Sequence, residues 1–418
     1  MAGNTFLTID MITKEAVRLF KNSNMFIMNM DTQYDKMFAI DGAKIGDTLR
    51  IRLPSDFIVT DGPAMQLQDN NQQFTTLTVS SQKNVATPYT TAERTMSIDD
   101  FSELTLAPMI NALAGKVALD VMTGSEGGVC NFVSNVDAGG NIISPVSDQF
   151  LDANAILDDQ SADDMDRRMV NSPKTDARTT TSLQGLLNPT PEISEQFRTG
   201  KMKSGLGYAR WFRDQTVITH TSGLYAAGAI TISGGGQTTG TGGGNLVTSA
   251  MPGGSTLRKG DIITIAGVNG VNRVTKQSQG TLRQFVITAD VAAGATAIPV
   301  YPGVIGPVGG LAGGADQQYQ TVDALPLNGA AVNMVSKSGE VYRKSLAYTQ
   351  KAVTMATADL VLPRKAIEEG ARANYNGIAM RIITDYLPNS DQLATRVDVL
   401  FGKKYIRPEW LCVVADRV

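Results

Sequence analysis

Residues suited to catalysis are scarce in this 418-residue chain. His220 is the only histidine, so a Ser-His-Asp or Cys-His arrangement would have to use it. It lies in the segment TVITHTSG, which carries no nucleophile motif. HExxH, G-x-S-x-G and Walker motifs do not occur in the sequence. We therefore expect His220 to be a structural or surface histidine.

Groups of carboxylates are the next candidates, either for acid/base chemistry or for cation binding. Glu368 and Glu369 are adjacent, and on a helix adjacent side chains point in different directions, which disfavours a catalytic pair. Four aspartates form an acidic run whose spacing matches no calcium loop. We expect that run to be a solvated face of a helix and its following loop: Asp158, Asp159, Asp163 and Asp164.

Cysteine and glycine patterns add no catalytic or binding motif. Cys130 and Cys412 are the only cysteines, and they have no metal-ligand spacing. A disulfide between them stays open, although so few cysteines are typical of a reducing compartment. Cys412 lies in the apolar run WLCVVA, where we expect a buried, inert thiol. The glycine-rich tract 234–244 lacks the lysine of a phosphate-binding loop, so we predict no catalytic, cofactor-binding or metal site.

The composition is that of an ordinary globular protein, with 42% hydrophobic and 18% charged residues. The length allows two or three domains. A formal net charge of −3 argues against a dedicated nucleic-acid binder, although a local basic patch stays open. Lys14, Glu15 and Arg18 interrupt the N-terminal apolar residues, so we expect no signal peptide. With no apolar run of ~20 residues, we expect a soluble protein made in a cytoplasm.

Helical periodicity is clear near the N-terminus and around residue 110. Residues 8–20 predict an amphipathic helix with Ile12, Ala16, Leu19 and Phe20 on one face. Two interpretations stay open for it: an arm that docks on another surface, or a helix packed on its own domain. Residues 97–122 predict a second helix, and Pro108 places the start of its long part near that proline.

An extended hairpin is predicted between these two helices. Alternating residues in 45–54 and in 74–85 predict two strands, and the polar stretch 66–73 predicts their tip. An isolated two-stranded hairpin is only marginally stable in water. We therefore expect this hairpin to lean on a neighbouring chain.

A β module interrupts the second half of the chain. Residues 150–215 predict helix (150–164), strand (166–173) and helix (175–187), which is an α/β pattern. From about residue 222 glycine becomes dense and short alternating strands predict a small barrel or sandwich. The five strands expected in this region are residues 229–233, 245–249, 261–268, 284–290 and 296–302, and two later strands are 380–386 and 395–402.

Taken in order, several segments resemble the coat protein of short-tailed double-stranded-DNA bacteriophages. The most specific is LRKGDIITIAGVNGVNRVTKQSQGTLRQFVITAD, which is similar to the centre of that family's inserted β-barrel domain. The similarity is collinear over nearly the whole chain. Further matching segments are residues 34–57, 97–122, 198–215, 345–363 and 380–402.

The resemblance implies an α+β fold of the tailed-phage (Hong Kong 97) type that carries an inserted all-β barrel. The domains it implies are an N-terminal arm (1–40), an extended loop (41–88), a peripheral domain with a long spine helix (89–128 and 385–418), an axial domain (129–221 and 341–384) and the inserted barrel (222–340). The isopeptide cross-linking residues of some family members cannot be placed here.

The function implied by the resemblance is structural. The chain would self-assemble as hexamers and pentamers into an icosahedral head, with a scaffolding protein, a portal protein and, as a further candidate, a decoration protein. Packaged DNA would be contacted non-specifically on the inner face. We expect no enzymatic activity, no cofactor and no membrane contact. A hydrolase with a carbohydrate-binding β module and a tail or secreted adhesive protein are the competing hypotheses.

Overall fold

The computed structural model describes residues 9–32, 48–59, 62–63, 67, 72–90, 106–182, 204–226, 228–307, 317–362, 369–375, 377–387 and 392–418. Its helices are α1 (Ile9–Ser23), α2 (Met25–Met28), α3 (Ala107–Thr123), α4 (Ser147–Asp159) and α5 (Pro173–Ser182), with 3-10 turns at Gln317–Tyr319, Gln350–Ala352 and Pro408–Trp410. Its strands are β1 (Thr48–Arg52), β2 (Phe74–Thr78), β3 (Ser81–Thr90), β4 (Asn131–Val133), β5 (Asn135–Val136), β6 (Ile142–Ile143), β7 (Arg167–Asn171), β8 (Arg210–Arg213), β9 (Thr219–Thr221), β10 (Ile230–Thr231), β11 (Gly244–Val247), β12 (Ile262–Val271), β13 (Ser278–Ile287), β14 (Ala297–Tyr301), β15 (Ala331–Met334), β16 (Val341–Thr349), β17 (Val353–Ala358), β18 (Glu369–Tyr375), β19 (Ile378–Leu387), β20 (Gln392–Tyr405) and β21 (Leu411–Arg417).

The described residues form two compact units, and both are assembled from separate stretches of chain. The first unit draws on Met1–Ile51, Thr75–Val121 and Val353–Ile406. The second draws on Arg52–Phe74, Met122–Ala352 and Arg407–Val418. Each unit therefore depends on pairings between residues far apart in sequence, which are entropically costly to close.

The sheet of the first unit is built around the long strand β20. β3 pairs along one side of β20, while β19 and β17 pair in series along its other side, and β18 follows β19. Gly402 lies where the chain before β3 crosses β20, and a Cβ there would be 2.4 Å from the carbonyl oxygen of Thr78. Only glycine allows this close approach of two backbones.

Helix α1 covers this sheet, so of the two interpretations the structure has the helix packed on its own domain. It packs against β18 and β19 of the same unit. Ala16 and Phe20 are fully buried, as expected for the apolar face. Thr13 and Val17 are buried as well, which widens the apolar stripe beyond the predicted one.

The long helix α3 begins at Ala107, so Pro108 occupies its first turn, where the missing N–H breaks no helical bond. This confirms the start expected near Pro108. Residues 97–105 of the predicted segment lie outside the described residues. The Lys403 ammonium lies 3.2 Å from the carboxylate of Asp120, and the Tyr405 hydroxyl donates to the carbonyl of Val121. These two contacts fasten the helix to β20.

The predicted hairpin is present, but its second strand is shorter than expected. β1 pairs with β2, whereas β3 joins β20 in the first unit. The single strand predicted over 74–85 is therefore wrong: the chain changes sheet after Thr78. Gln66 and residues 68–71 of the polar tip lie outside the described residues.

The second unit contains a six-stranded sheet whose main order is β4-β21-β16-β7-β8, with β9 paired to β16. The strand pairings group the chain differently from the expected division at residue 384. β21 pairs with β16 here, while β17, β18 and β19 belong to the other unit's sheet. The difference arises because strand pairing, and not position along the chain, decides which sheet a strand joins.

Helix α4 and an aromatic cluster form the core beside this sheet. The helix spans Ser147–Asp159, five residues shorter at its C-terminal end than predicted. The rings of Phe150 and Trp211 meet edge-to-face, with centroids 5.0 Å apart. The Tyr208 hydroxyl donates to the carbonyl of Phe150, so the buried phenol is satisfied. β7 and α5 lie where the sequence predicts strand and helix.

Six short strands close into a barrel between residues 230 and 334. Their order is β10-β15-β12-β13-β14-β11. The ring closes because Ile232 bridges to Thr248 and the Ser249 N–H donates to the carbonyl of Thr231. All five strands predicted in this region are present, and β15 is the strand that sequence analysis missed.

Alternation along the strands explains the barrel core. Five apolar residues of β12 and β13 point inward: Ile263, Ile265, Val268, Phe285 and Ile287. Ile262 and Val286 are also buried, but they are cross-strand partners outside that cluster. The side chain of Gln284 accepts from the N–H of Phe132 and donates to its carbonyl, so the barrel's outer wall adjoins β4.

Candidate functional site at the base of the barrel

His220 lies at the base of the barrel, where the chain passes from the six-stranded sheet into the barrel strands. It is in β9, directly opposite Tyr342 of β16. Only 4% of the residue is exposed, and its ring centroid is 5.4 Å from that of Tyr342. The expectation of a structural histidine therefore fits its burial.

Both ring nitrogens of His220 face carboxylates. Nε2 lies 2.8 Å from Oδ1 of Asp261, which precedes β12. Nδ1 lies 3.3 Å from Oε1 of Glu126, three residues after the end of α3. The partners are 41 and 94 residues away in sequence, so no local motif could reveal them.

Asp261 is the most deeply buried member of the group. Its exposed fraction is 0%, and Oδ2 accepts from the backbone N–H groups of Arg258, at 2.6 Å, and Gly223, at 3.1 Å. A buried carboxylate is tolerated only when its lone pairs are satisfied. Asp261 therefore joins three segments of chain: the turn before β12, the segment after β9, and β9 itself.

Lys344 of β16 brings a buried ammonium to the same place. Its Nζ donates to the carbonyl of Gly260 at 3.0 Å. Burial lowers the pKa of Lys344 to about 8, against the opposing effect of Glu126 and Asp261. Gly260 has a φ of +97°, and a Cβ there would lie 2.9 Å from Nζ, so the ammonium fits only beside a glycine.

Glu126 is the most exposed of the four groups, with 25% of its side chain accessible. Burial raises the pKa of Glu126, but the hydrogen bond with His220 and the charge of Lys344 outweigh it, so its pKa is lowered overall. We name these four residues the basal cluster: Glu126, His220, Asp261 and Lys344.

The geometry of the basal cluster is structural and not catalytic. A histidine base needs one nitrogen for an orienting carboxylate and the other for a nucleophile's proton. In His220 both nitrogens face carboxylates. The nearby hydroxyls of Ser222 and Ser336 are hydrogen-bonded to each other at 2.7 Å. The cluster therefore fastens the two chain passages at the base of the barrel to the sheet.

The acidic run has a second role besides the solvated face that the sequence predicts. Asp158 Oδ1 lies 2.5 Å from Nη2 of Arg167, and Asp164 lies 3.5 Å from Nη1. The side chain of Arg167 is only 1% exposed, whereas that of Asp158 is 62% exposed. The run is solvated, as predicted, but it also neutralises a buried arginine beneath it.

The other candidates from the sequence lie apart from the cluster. Cys130 and Cys412 are buried free thiols, so the disulfide left open by the sequence is not formed. Glu369 begins strand β18, so the helix assumed for the glutamate pair is wrong, and Glu368 lies outside the described residues. Among the described residues, no group of His, Cys, Asp and Glu could hold a metal, and no helix is long and apolar enough to cross a membrane.

One sequence signal could have pointed to the basal cluster. Lys344 falls in phase with Tyr342, Leu346 and Tyr348 on an otherwise apolar face of β16. A lysine in that position requires buried carboxylates nearby. The local sequence pattern does not show which carboxylates lie close to this lysine.

Comparison with known proteins identifies the family. The model of the family described as "P22 coat protein - gene protein 5" matches residues 1–414. No curated protein sequence matches the chain.

Several solved structures are also similar to the chain. A structure from Mycobacterium phage Che8 is 11% identical, with 94% of this chain and 90% of that chain covered and a TM-score of 0.45. The capsid of Ralstonia phage GP4 is 8% identical, with 90% and 84% covered and a TM-score of 0.43. The CUS-3 coat protein I-domain is 27% identical, with 27% of this chain and all of that chain covered and a TM-score of 0.21.

The family match covers all but the last four residues of the chain, and it agrees with the collinear resemblance seen in the sequence. The expected α+β fold of the tailed-phage capsid type is confirmed. The chain belongs to the P22 coat protein family, and it is a structural subunit of a bacteriophage capsid rather than an enzyme.

Proposed function

We propose that the hairpin of β1 and β2 carries contacts between neighbouring subunits in the hexamers and pentamers of an icosahedral head. The supporting observation is apolar surface on a hairpin too thin to bury it. Phe57 is 58% exposed, Val59 90%, Leu67 86% and Phe74 54%. Isolated two-stranded hairpins are marginal in water, so this surface calls for a partner. A second copy of the chain is the partner that shell assembly supplies.

Deletion of the hairpin tip tests this proposal. Removing residues 66–71 should leave a folded subunit that fails to form regular shells, since the barrel and both sheets are untouched. A glycine-serine replacement of the same six positions is the matched control for length. Electron microscopy and circular dichroism of the purified proteins provide the measurements. Normal shells from the deletion would show that the tip is dispensable.

The domain assignment is part of the same proposal. The N-terminal segment 1–40, the extended loop 41–88 and the inserted domain 222–340 keep the bounds expected from the sequence. Support for the last comes from the backbone hydrogen bond from the Ser222 N–H to the carbonyl of Glu340, which joins the ends of the insertion. The strand pairings support an axial domain that includes β16 and β21 and a peripheral domain that includes α3 and β17–β20, with β3 of the extended loop paired to β20.

Assembly partners are proposed from family membership. In the host cytoplasm the subunit assembles with a scaffolding protein and a portal protein, and a decoration protein is a further candidate. Packaged DNA lies on the inner face and is contacted non-specifically, in agreement with a net charge of −3 for the chain. Co-expression with the phage's own scaffolding protein should give closed shells of one size. Identical shells without it would contradict a requirement for scaffolding.

A further inference from the structure

We propose that the inserted barrel positions the extended hairpin, and that Arg273 is the positioning residue. Arg273 lies in the turn between β12 and β13, at one end of the barrel. Asp56 lies on the outgoing leg of the hairpin, four residues after β1. The guanidinium holds the Asp56 carboxylate with both Nε and Nη2, at 3.0 and 3.1 Å.

The same guanidinium also binds a residue of the six-stranded sheet's border. Nη1 of Arg273 lies 2.7 Å from Oε1 of Glu409, in the turn that leads into β21. One side chain therefore joins hairpin, barrel and sheet border. A planar fork with five donors can bind one carboxylate through two N–H groups while a third N–H binds another carboxylate, a fixed geometry that a lysine ammonium does not provide.

The barrel holds the returning leg as well. Thr241, in the glycine-rich segment before β11, donates its hydroxyl to the side chain of Gln73 at 3.1 Å. The side chains of Tyr319 and Ser55 are hydrogen-bonded on the outgoing leg. The Leu53 N–H donates to the carbonyl of Gln73. The two legs of the hairpin are therefore hydrogen-bonded to each other close to the residues that contact the barrel.

These contacts add a support within the chain to the neighbouring chain on which the hairpin is expected to lean. Its base leans on its own barrel. The side chains of Arg273, Asp56 and Glu409 are 21–22% exposed, so they are partly removed from solvent and little weakened by salt. A two-point contact between an arginine and a carboxylate has a fixed geometry. Arg273 therefore restricts the orientation of the hairpin at its base.

Positioning by Arg273 can be measured in the unassembled full-length subunit. Spin labels on Val59→Cys and Leu327→Cys report the distance between hairpin and barrel, since both positions are strongly exposed. The native thiols do not interfere, because burial raises the pKa of Cys130 and of Cys412. We expect one narrow distance distribution in the labelled parent.

Variants of both partners in the ion pair of Arg273 and Asp56 provide the test. Arg273→Gln and Asp56→Asn should each abolish the narrow peak, and the double variant should be no broader than either alone. Asp56→Asn leaves the barrel untouched, so barrel misfolding cannot explain its effect. Arg258→Gln is the matched control. Arg258 is an exposed arginine of the same barrel, and within the described residues its side chain makes no hydrogen bond or ion pair. A narrow peak in Arg273→Gln and Asp56→Asn, or a broad one in the parent or in Arg258→Gln, would overturn the proposal.

The consequence for shells rests on the proposed hairpin contact between subunits, and a second measurement separates the two. If both proposals hold, Arg273→Gln should broaden the distance distribution and also increase the fraction of irregular particles. A broadened distribution with regular shells would keep the positioning role and contradict the importance of the hairpin contact. An unchanged distribution with irregular shells would contradict the positioning role alone.

Discussion

The interior of the barrel and its base are both largely buried, yet they are held together by opposite means. The interior is lined mainly by apolar side chains, among them Ile265, Phe285 and Ile298, each with no exposed surface. The base contains the basal cluster, where Asp261 and Lys344 are 0% and 2% exposed. Apolar packing is non-directional and roughly proportional to area. Buried charges are stable only when every partner is in place.

This difference predicts how each region responds to damage. Loss of one methyl group in the interior leaves its neighbours apolar and satisfied, so the cost depends on how far the cavity collapses. Loss of one charge at the base leaves the others buried without compensation. Substitutions at the base should therefore be the more destabilising, and only they should depend on pH.

The largest effect is expected for Asp261→Ala. It removes a fully buried carboxylate that accepts two backbone N–H groups and faces His220, so the free energy of unfolding should fall by about 3–5 kcal/mol. Denaturant unfolding of the full-length subunit measures it. Asp290→Ala is the matched control, since this exposed aspartate accepts the Lys259 N–H and should cost about 1 kcal/mol. Equal losses in the two variants would contradict the comparison.

Ile265→Ala tests the interior. The side chain is fully buried, so the free energy of unfolding should fall by about 2–5 kcal/mol, independent of pH. Val247→Ala changes a 49%-exposed residue of the same barrel and should stay within about 0.5 kcal/mol. A loss below about 1 kcal/mol for Ile265→Ala would show that the interior is loosely packed.

Lys344→Met tests the charge at the base through its pH dependence. Below pH 8 both folded and unfolded chains hold the lysine proton. Between about 8 and the ordinary value of 10.5, only the unfolded chain holds it, so the parent's free energy of unfolding should rise with pH, by at most about 1.4 kcal/mol per unit. The carboxylates of Glu126 and Asp261 act on Lys344, and both also contact His220, whose ring lies against Tyr342.

The measurement is the difference between parent and Lys344→Met from pH 7 to pH 10. The variant should lack the rise, while other titrations cancel in the difference. Parallel curves would show that the ammonium is not desolvated in the folded subunit.

The smallest effect is expected for Glu126→Gln. The pKa of Glu126 is lowered in the folded state, so its contribution is present above the ordinary value of 4.5 and is lost as the pH falls through the folded pKa. At pH 7 the variant should be less stable than the parent by less than about 1 kcal/mol, since the group is one quarter exposed. The two stabilities should converge in acid. A difference that persists there would point to packing and not to charge.

The elements of the barrel could be predicted from the sequence because strand alternation is a local property. Ile263, Ile265 and Phe285 face inward in phase with the predicted strands. Pro108 likewise marks the start of α3, since a proline is tolerated only in the first helical turn. β15 was missed because the apolar residues of its segment, AAVNMV, do not alternate regularly with polar ones.

The partners of those elements could not be predicted. Residues 74–85 look like one strand, yet β2 and β3 belong to different sheets. His220 has no neighbour in sequence with which to react, yet two carboxylates reach it from 94 and 41 residues away. Local periodicity indicates which face of an element is buried but not what covers it.

The sequence by itself determined the family, the succession of elements and the apolar side of each barrel strand, because residue order and side-chain period are local properties. Only the tertiary structure decided that the charge of Asp261 acts on Lys344, that β21 pairs with β16 and that Arg273 binds Asp56. Those contacts join residues tens to hundreds of positions apart. Their energy depends on burial and on geometry between side chains, and both exist only once the distant strands have paired.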